Sequence, residues 1–169
     1  MVLTRERANQ STRIFWIGRH TRIIRCESNS DGRETVDDQK LIEAAKEARE
    51  NAHAPYSNYF VGAAIVDDKG DVYTGCNVEN AAYPQGNCAE VNAIGAMVTA
   101  GGKKISVIAA VGGGEELEFC TPCGGCRQSI LEFSDENTRV ILINEEGTIQ
   151  EYSLDELLPL AFRLRQARL

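Results

Sequence analysis

A chain of 169 residues with a formal charge of −7, 43% apolar and 25% charged side chains has the composition of one soluble domain with material for a sizeable core. That composition excludes a collagen-like, wholly disordered or multidomain protein, and no apolar run approaches the roughly 18 residues of a membrane-spanning helix. The acidic balance also argues against nucleic acid, whose phosphates are met by Lys and Arg, and favours a small ligand of little charge.

The charge divides the chain. Residues 1–33 carry seven Arg against three acids, whereas the remainder carries eleven bases against twenty-two acids. Residues 1–35 are therefore read as an N-terminal extension and 36–169 as the functional domain. The extension lacks the ~7 to 15 apolar residues of a secretory signal. Its Arg-rich, Ser-containing composition resembles that of an organelle-targeting peptide, but a mobile tail or a start placed too early explains it more simply, and a cytoplasmic location is expected.

Past the extension, Asp37 and Asp38 precede Leu41, Ala44, Ala45 and Ala48 at helical spacing, which predicts a helix over 38–52 that Pro55 ends. Strands follow over Phe60 to Val66 and Val72 to Val78, joined by the turn Asp67-Asp68-Lys69-Gly70-Asp71. A loop over 80–87 leads into a helix over 88–99, closed by Gly101-Gly102. Next come the apolar strand Ile105 to Val111, a Gly-rich acidic loop, a helix from Cys123 to Phe133, and strands over 139–144 and 148–152. Ser153-Leu154-Asp155-Glu156 has the pattern of a capping box opening a final helix. The order α-β-β-α-β-α-β-β-α predicts an α/β fold, a mixed five-stranded sheet sandwiched by helices in three α-β-α layers.

Six cysteines in a chain without an export signal point to metal binding or catalysis rather than disulfides. Cys120, Cys123 and Cys126 form C-T-P-C-G-G-C, and Cys88 lies upstream in N-C-A-E. Cys88 and the Cys123/Cys126 pair each fall where a loop enters a helix, whose N-terminus lowers thiol pKa values and stabilises thiolates. Soft thiolates at Cys-x2-Cys spacing favour zinc, and three protein ligands leave one tetrahedral position for water. Glu90, two residues past Cys88, is placed to handle protons there, which points to hydrolysis. A closed four-cysteine zinc site and part of an iron-sulfur run remain alternatives, although Cys88 stands alone and no cysteine follows Cys126. Cys26 and Cys76 read as small buried hydrophobes, Cys120 has no assigned role, and His20 and His53 read as surface residues.

Cys88-Ala89-Glu90 followed by Pro122-Cys123-Gly124-Gly125-Cys126-Arg127-Gln128 resembles the cytidine deaminase family of small free-nucleoside enzymes, in its all-cysteine form. Matching segments also lie at Pro55 to Ala64, Gly75 to Tyr83 and Leu157 to Phe162, so the resemblance spans about residues 38 to 162. It implies one Zn2+ per chain on Cys88, Cys123 and Cys126, and Glu90 as the proton carrier in hydrolytic attack at C4 of the cytosine ring. Cytidine and deoxycytidine would become uridine and deoxyuridine, releasing ammonia, in pyrimidine salvage. The resemblance further implies that Asn77 and Glu79 bind the ribose 3′-hydroxyl and that the Ala89 backbone contacts the base. Thr121-Pro122 would lie near the departing ammonia. Tyr59 stands where relatives carry a stacking Phe, and Phe162 would reach into a neighbouring subunit's site of a homotetramer. One departure is Val91, where many relatives have an Arg against the zinc thiolates; Arg127 or Asn92 is the expected substitute. Two other readings are a same-fold deaminase of another cytosine nucleoside, such as an aminoacyl-nucleoside antibiotic, and a non-catalytic zinc or iron-sulfur interaction module. Asn77, Glu79 and the LLPLAF terminus favour a plain nucleoside, and a binding module has no need of Glu90.

Overall fold

The structure, a computed structural model, describes residues 37–164 and two short strands, β1 (Glu27–Ser28) and β2 (Glu34–Thr35), which pair antiparallel. The readings made on Cys26, His20 and the rest of the N-terminal extension lie outside the described residues. Helix α1 (Asp38–Arg49) starts at Asp37, whose carboxylate accepts from the Gln39 amide at 3.0 Å, and it ends three residues before the expected boundary. Strands β3 (Phe60–Asp67) and β4 (Val72–Cys76) form the expected hairpin. Its turn is organised by Asp67, 1% exposed, whose carboxylate accepts from the amides of Lys69 and Asp71 at 2.9 Å each. Gly70 takes the positive φ of 84° that this turn needs.

A 3-10 turn at Tyr83–Gln85 precedes α2 (Ala89–Thr99), β5 (Ile105–Gly113), α3 (Gly124–Glu132), β6 (Arg139–Ile143), β7 (Ile149–Tyr152) and α4 (Leu154–Leu157). The sheet runs β4-β3-β5-β6-β7, antiparallel throughout except between β5 and β6. The mixed five-stranded sheet with helices on both faces is thus the predicted one.

The period-two alternation of strand side chains builds the layers. On one face Ala64 and Val66 of β3 meet Leu41, Ile42 and Ala45 of α1, with Val107, Ala109, Val111 and Ile141. On the other, Ala63 and Ile65 meet Ala89, Ala93, Ile94 and Met97 of α2 and Ile130 and Leu131 of α3. Gly75 lets α2 come in close: a Cβ there would lie 2.5 Å from the Ala89 carbonyl oxygen and nearer still to the Ala93 amide.

Other boundaries also differ from the sequence reading. Strand β4 stops at Cys76, and Val78 beyond it makes only isolated bridges to His53 and Asn87. The final helix is a single turn, although the Ser153/Glu156 capping box forms as expected. Pro159 is the reason: it offers no amide and disfavours helical backbone at Leu158, which sits at φ −140° and ψ 68°. Phe162 therefore lies on a non-helical segment past the final helix.

Candidate active site

The local structure that gathers the thiols is the start of two helices. Cys88 and Cys123 are not the first helical residues but the N-caps of α2 and α3, both with extended backbone. An N-cap side chain points across the exposed amides of the first turn. The Cys123 sulfur accepts from the Cys126 amide at 3.5 Å, and it lies 4.0 Å from the Cys88 sulfur. The sulfurs of Cys88, Cys123 and Cys126 all fall within 4.8 Å of one another, and Cys120 is not part of that group.

This cluster fits a tetrahedral metal. Zinc–sulfur bonds of about 2.3 Å place ligand sulfurs about 3.8 Å apart, close to the Cys88–Cys123 separation. The electrostatics ask for a cation as well. Burial, with the charges of Cys123 and Glu90 added, pushes the Cys88 thiol up. Cys126, 2% exposed, is pushed up more strongly by burial and by the charges of Glu90 and Cys88. At Cys123 burial acts in the same direction, but hydrogen bonds from the Cys126 amide and from the Cys126 and Cys88 side chains outweigh it and the net shift is downward. Three crowded thiols beside a carboxylate repel one another as anions, and a divalent cation removes that conflict.

Glu90 is 4% exposed on the first turn of α2 and faces the same cavity. That cavity, about 180 Å³, is lined by the three thiols and Glu90 together with Tyr59, Val61, Asn77, Ala89, Cys120 and Thr121. An open metal site, a buried carboxylate and an apolar slot with few polar groups form a pocket for a small polar molecule that reacts with water.

Comparison with known proteins agrees with this chemistry. Residues 35–142 match the family model described as the cytidine and deoxycytidylate deaminase zinc-binding region. A cytidine deaminase from Sporosarcina psychrophila is 43% identical over 127 residues, covering 75% of this chain and 92% of that protein. The chain belongs to the cytidine deaminase family. The crystal structure of cytidine deaminase from Burkholderia pseudomallei superposes with a TM-score of 0.67 at 46% identity, covering 73% of this chain and 98% of that one. The Mycobacterium tuberculosis cytidine deaminase does so with a TM-score of 0.67 at 37% identity, covering 77% and 100% respectively. Membership makes this deaminase zinc-dependent, and the three-thiol group is its candidate metal centre.

Of the site residues read from the sequence, the deaminase fold brings Cys88, Cys123, Cys126, Glu90, Ala89, Asn77 and Tyr59 to one cavity. Glu79 and Phe162 lie outside its lining. The Asn77 side chain spans two backbone positions, accepting from the Val61 amide at 2.8 Å and donating to the Tyr59 carbonyl at 2.9 Å. It thereby holds the strand segment that carries the Tyr59 ring. Glu79 accepts from the amides of Tyr56 and Ser57 at 2.8 and 3.3 Å. The Ser57 side chain and those amides hold its carboxyl below the usual range.

Neither expected substitute for an arginine at Val91 reaches the thiols. Arg127 donates to the carbonyls of Pro122 and Leu157 at 2.7 and 2.6 Å and to the Thr121 hydroxyl at 3.4 Å, so it fastens the Thr121-Pro122 turn. The Asn92 amide donates to the Cys76 carbonyl at 2.8 Å. Sequence reasoning missed two members of the lining, Val61 and Cys120. The first follows from Tyr59 by strand alternation; the second had no signal beyond its spacing from Cys123.

Among the described residues no helix is long and apolar enough to cross a membrane.

Proposed function

We propose that this enzyme hydrolytically deaminates cytidine and 2′-deoxycytidine, with Cys88, Cys123 and Cys126 as the zinc ligands and Glu90 as the proton carrier. The observation that carries the reading is the buried Glu90 in one cavity with three convergent thiols. A metal site kept only for structure has no use for a buried carboxylate beside it.

Zinc held by the three thiolates supplies a Lewis acid that brings the pKa of water toward neutrality. Glu90 takes a proton from the attacking water and passes it to N3 of the cytosine ring. It then takes the second proton of the former water and gives it to the amino group, so that ammonia leaves and the carboxylate is regenerated. This is the general-acid and general-base work that zinc deaminases assign to their glutamate. Tyr59 presents its ring to the base, the Ala89 backbone contacts the base edge, and Asn77 and Glu79 face the ribose. The Arg127-tied turn at Thr121 and Pro122 borders the side from which ammonia departs.

A homotetramer with shared sites completes the proposal. Phe162 is 71% exposed, and Leu160 before it is fully exposed with a positive φ of 56°, unusual for a leucine. The Gln128 side chain anchors the Phe162 carbonyl at 3.0 Å. A tail held this way, with its apolar side chains turned to solvent, suits insertion into a second copy. The family match over residues 35–142 supports reading the chain from about residue 36 as the catalytic domain, with the stretch before it as an extension. The five cysteines among the described residues are free thiols, which suits a reducing cytoplasm.

The test is loss of absorbance in the cytosine band on protein with its bound metal quantified. Turnover of either nucleoside at about one zinc per chain is expected. Full zinc occupancy without turnover of either overturns the nucleoside assignment, and iron with visible colour overturns the deaminase reading.

A further inference from the structure

The segment just past β4 is fixed on both of its edges. On one side the His53 amide donates to the Asn77 carbonyl at 3.0 Å and the Glu79 amide to the His53 carbonyl at 2.7 Å. On the other, Val78 and Asn87 exchange two backbone hydrogen bonds of 2.9 Å each, and Asn87 is the residue before Cys88. The backbone that carries Asn77 and Glu79 is thereby set in register with the start of α2 and the first of the metal thiols.

From this fixed segment two side chains reach to the loop between α1 and β3. Oε2 of Glu79 accepts from the consecutive amides of Tyr56 and Ser57 at 2.8 and 3.3 Å. Asn77 holds the far end of the same stretch, at the Tyr59 carbonyl and the Val61 amide. Between the two grips the chain is closed on itself. The Asn58 amide donates to the Ala54 carbonyl and the Tyr59 amide to the Ser57 hydroxyl, both at 3.0 Å. Asn58 takes a positive φ of 54°, a conformation that asparagine tolerates better than most side chains. The turn at Tyr56 and Ser57 faces water. Solvent can satisfy its amides when the carboxylate is removed, so what the cap supplies is the course of the loop rather than the fold. Tyr59, Val61 and Asn77 line the cavity and Glu79 does not. The influence of Glu79 on whatever lies against Tyr59 therefore passes through the loop.

We propose that Glu79 is a positioning residue for the base as well as a sugar ligand: its carboxylate caps the Tyr56–Ser57 turn and, together with Asn77, sets the Tyr59 ring in a fixed place relative to the metal thiols. The inference rests on the cytosine-nucleoside reading of the site. One carboxylate then serves both halves of the substrate, the sugar directly and the base through the ring that stacks on it.

The test uses 2′,3′-dideoxycytidine, which lacks the ribose hydroxyls, so that a bond from Glu79 to the sugar is absent from the outset. Its inhibition constant against cytidine turnover is measured on the zinc-loaded wild type, E79A, E79Q, Y59A and the combined E79A and Y59A variant. Zinc content and the denaturant midpoint are recorded for each. E79A is expected to weaken the analogue about tenfold. E79Q keeps a carbonyl oxygen for the two amides and is expected to stay within about threefold of the wild type. In the Y59A background E79A is expected to change the constant by less than about twofold, since the ring it places is gone. An analogue constant that E79A leaves within about twofold of the wild type overturns the proposal and makes Glu79 a sugar ligand only. Equal losses in both backgrounds also overturn it, because the effect then bypasses Tyr59. A loss of zinc from E79A overturns it as well and makes Glu79 a support of the metal end. Absence of cytidine turnover by the zinc-loaded wild type overturns the nucleoside reading itself, and the role at Tyr59 with it.

Discussion

The two faces of the sheet use the same strands for different ends. Beneath α1, Leu41, Ile42 and Ala45 meet Ala64, Val66, Val107, Val111 and Ile141, and Gly62 admits the helix backbone, since a Cβ there would lie 2.5 Å from the Arg49 amide and nearer still to the Ala45 carbonyl oxygen. Across the sheet Gly75 admits α2 in the same way, and what differs is the cargo, since the first turn of α2 carries the buried Glu90. One face is built to be stable; the other is built to hold two helix N-termini and a carboxylate at fixed separation. Close packing of backbone on backbone leaves little room for error, because an error of about 1 Å at reacting groups can cost about 100-fold in rate.

The largest expected effect lies on the chemical face. E90Q keeps the volume of the side chain and loses its proton exchange, so turnover is expected to fall by about 10²- to 10⁴-fold while zinc per chain is unchanged. Zinc loss in parallel with activity would show that Glu90 holds the cluster together instead of carrying protons. On the other face, L41A removes a fully buried side chain and is expected to cost about 2–5 kcal/mol in denaturant unfolding. Below its unfolding transition its kcat should match that of the wild type; a large fall in kcat would show that the faces are not separable.

G75A sharpens the contrast, since it adds one methyl where L41A removes several carbons. Overpacking of this kind costs about 1–3 kcal/mol, yet here the displaced element is the one that bears Cys88 and Glu90, so kcat/KM should fall far more than stability does. The smallest effect concerns charge. Val91, 36% exposed beside Glu90, leaves the thiolates facing helix amides and no arginine. V91R is expected to slow the transfer of zinc to a chelator by about tenfold. An unchanged rate would mean that the two helix N-termini already balance the cluster.

What could be read from the sequence follows from how local each signal is. Period-two runs such as Phe60 to Val66, the Asp67–Asp71 turn and the Ser153/Glu156 box are set within a few residues, and each formed where it was expected. The convergence of the three thiols was legible for the same reason, because Cys-x2-Cys and a cysteine before a helix set both residue type and direction. The length of the final helix was not legible from Ser153, which marks a start and says nothing of where the helix stops; Pro159 carried that information. The side-chain partners were less accessible. Whether Arg127 reaches a thiolate or a carbonyl depends on where the Leu157 carbonyl lies, thirty positions along the chain. Cys120 was passed over because its neighbours in space, Gly112 on β5 and Tyr59 in the loop before β3, are not its neighbours in the chain.

The order of the thiols along the chain has a thermodynamic meaning. Cys88 comes before the central strand β5 and Cys123 after it, so the 4.0 Å approach of their sulfurs closes a loop of thirty-five positions around that strand. Closing such a loop in a disordered chain costs about 4 kcal/mol of configurational entropy. The pairing of β5 with β3 and β6 offsets that cost in the folded chain. The assembled thiols therefore bind a cation almost three orders of magnitude more tightly than the same cysteines on an open chain, and by reciprocity the bound cation resists unfolding by the same amount.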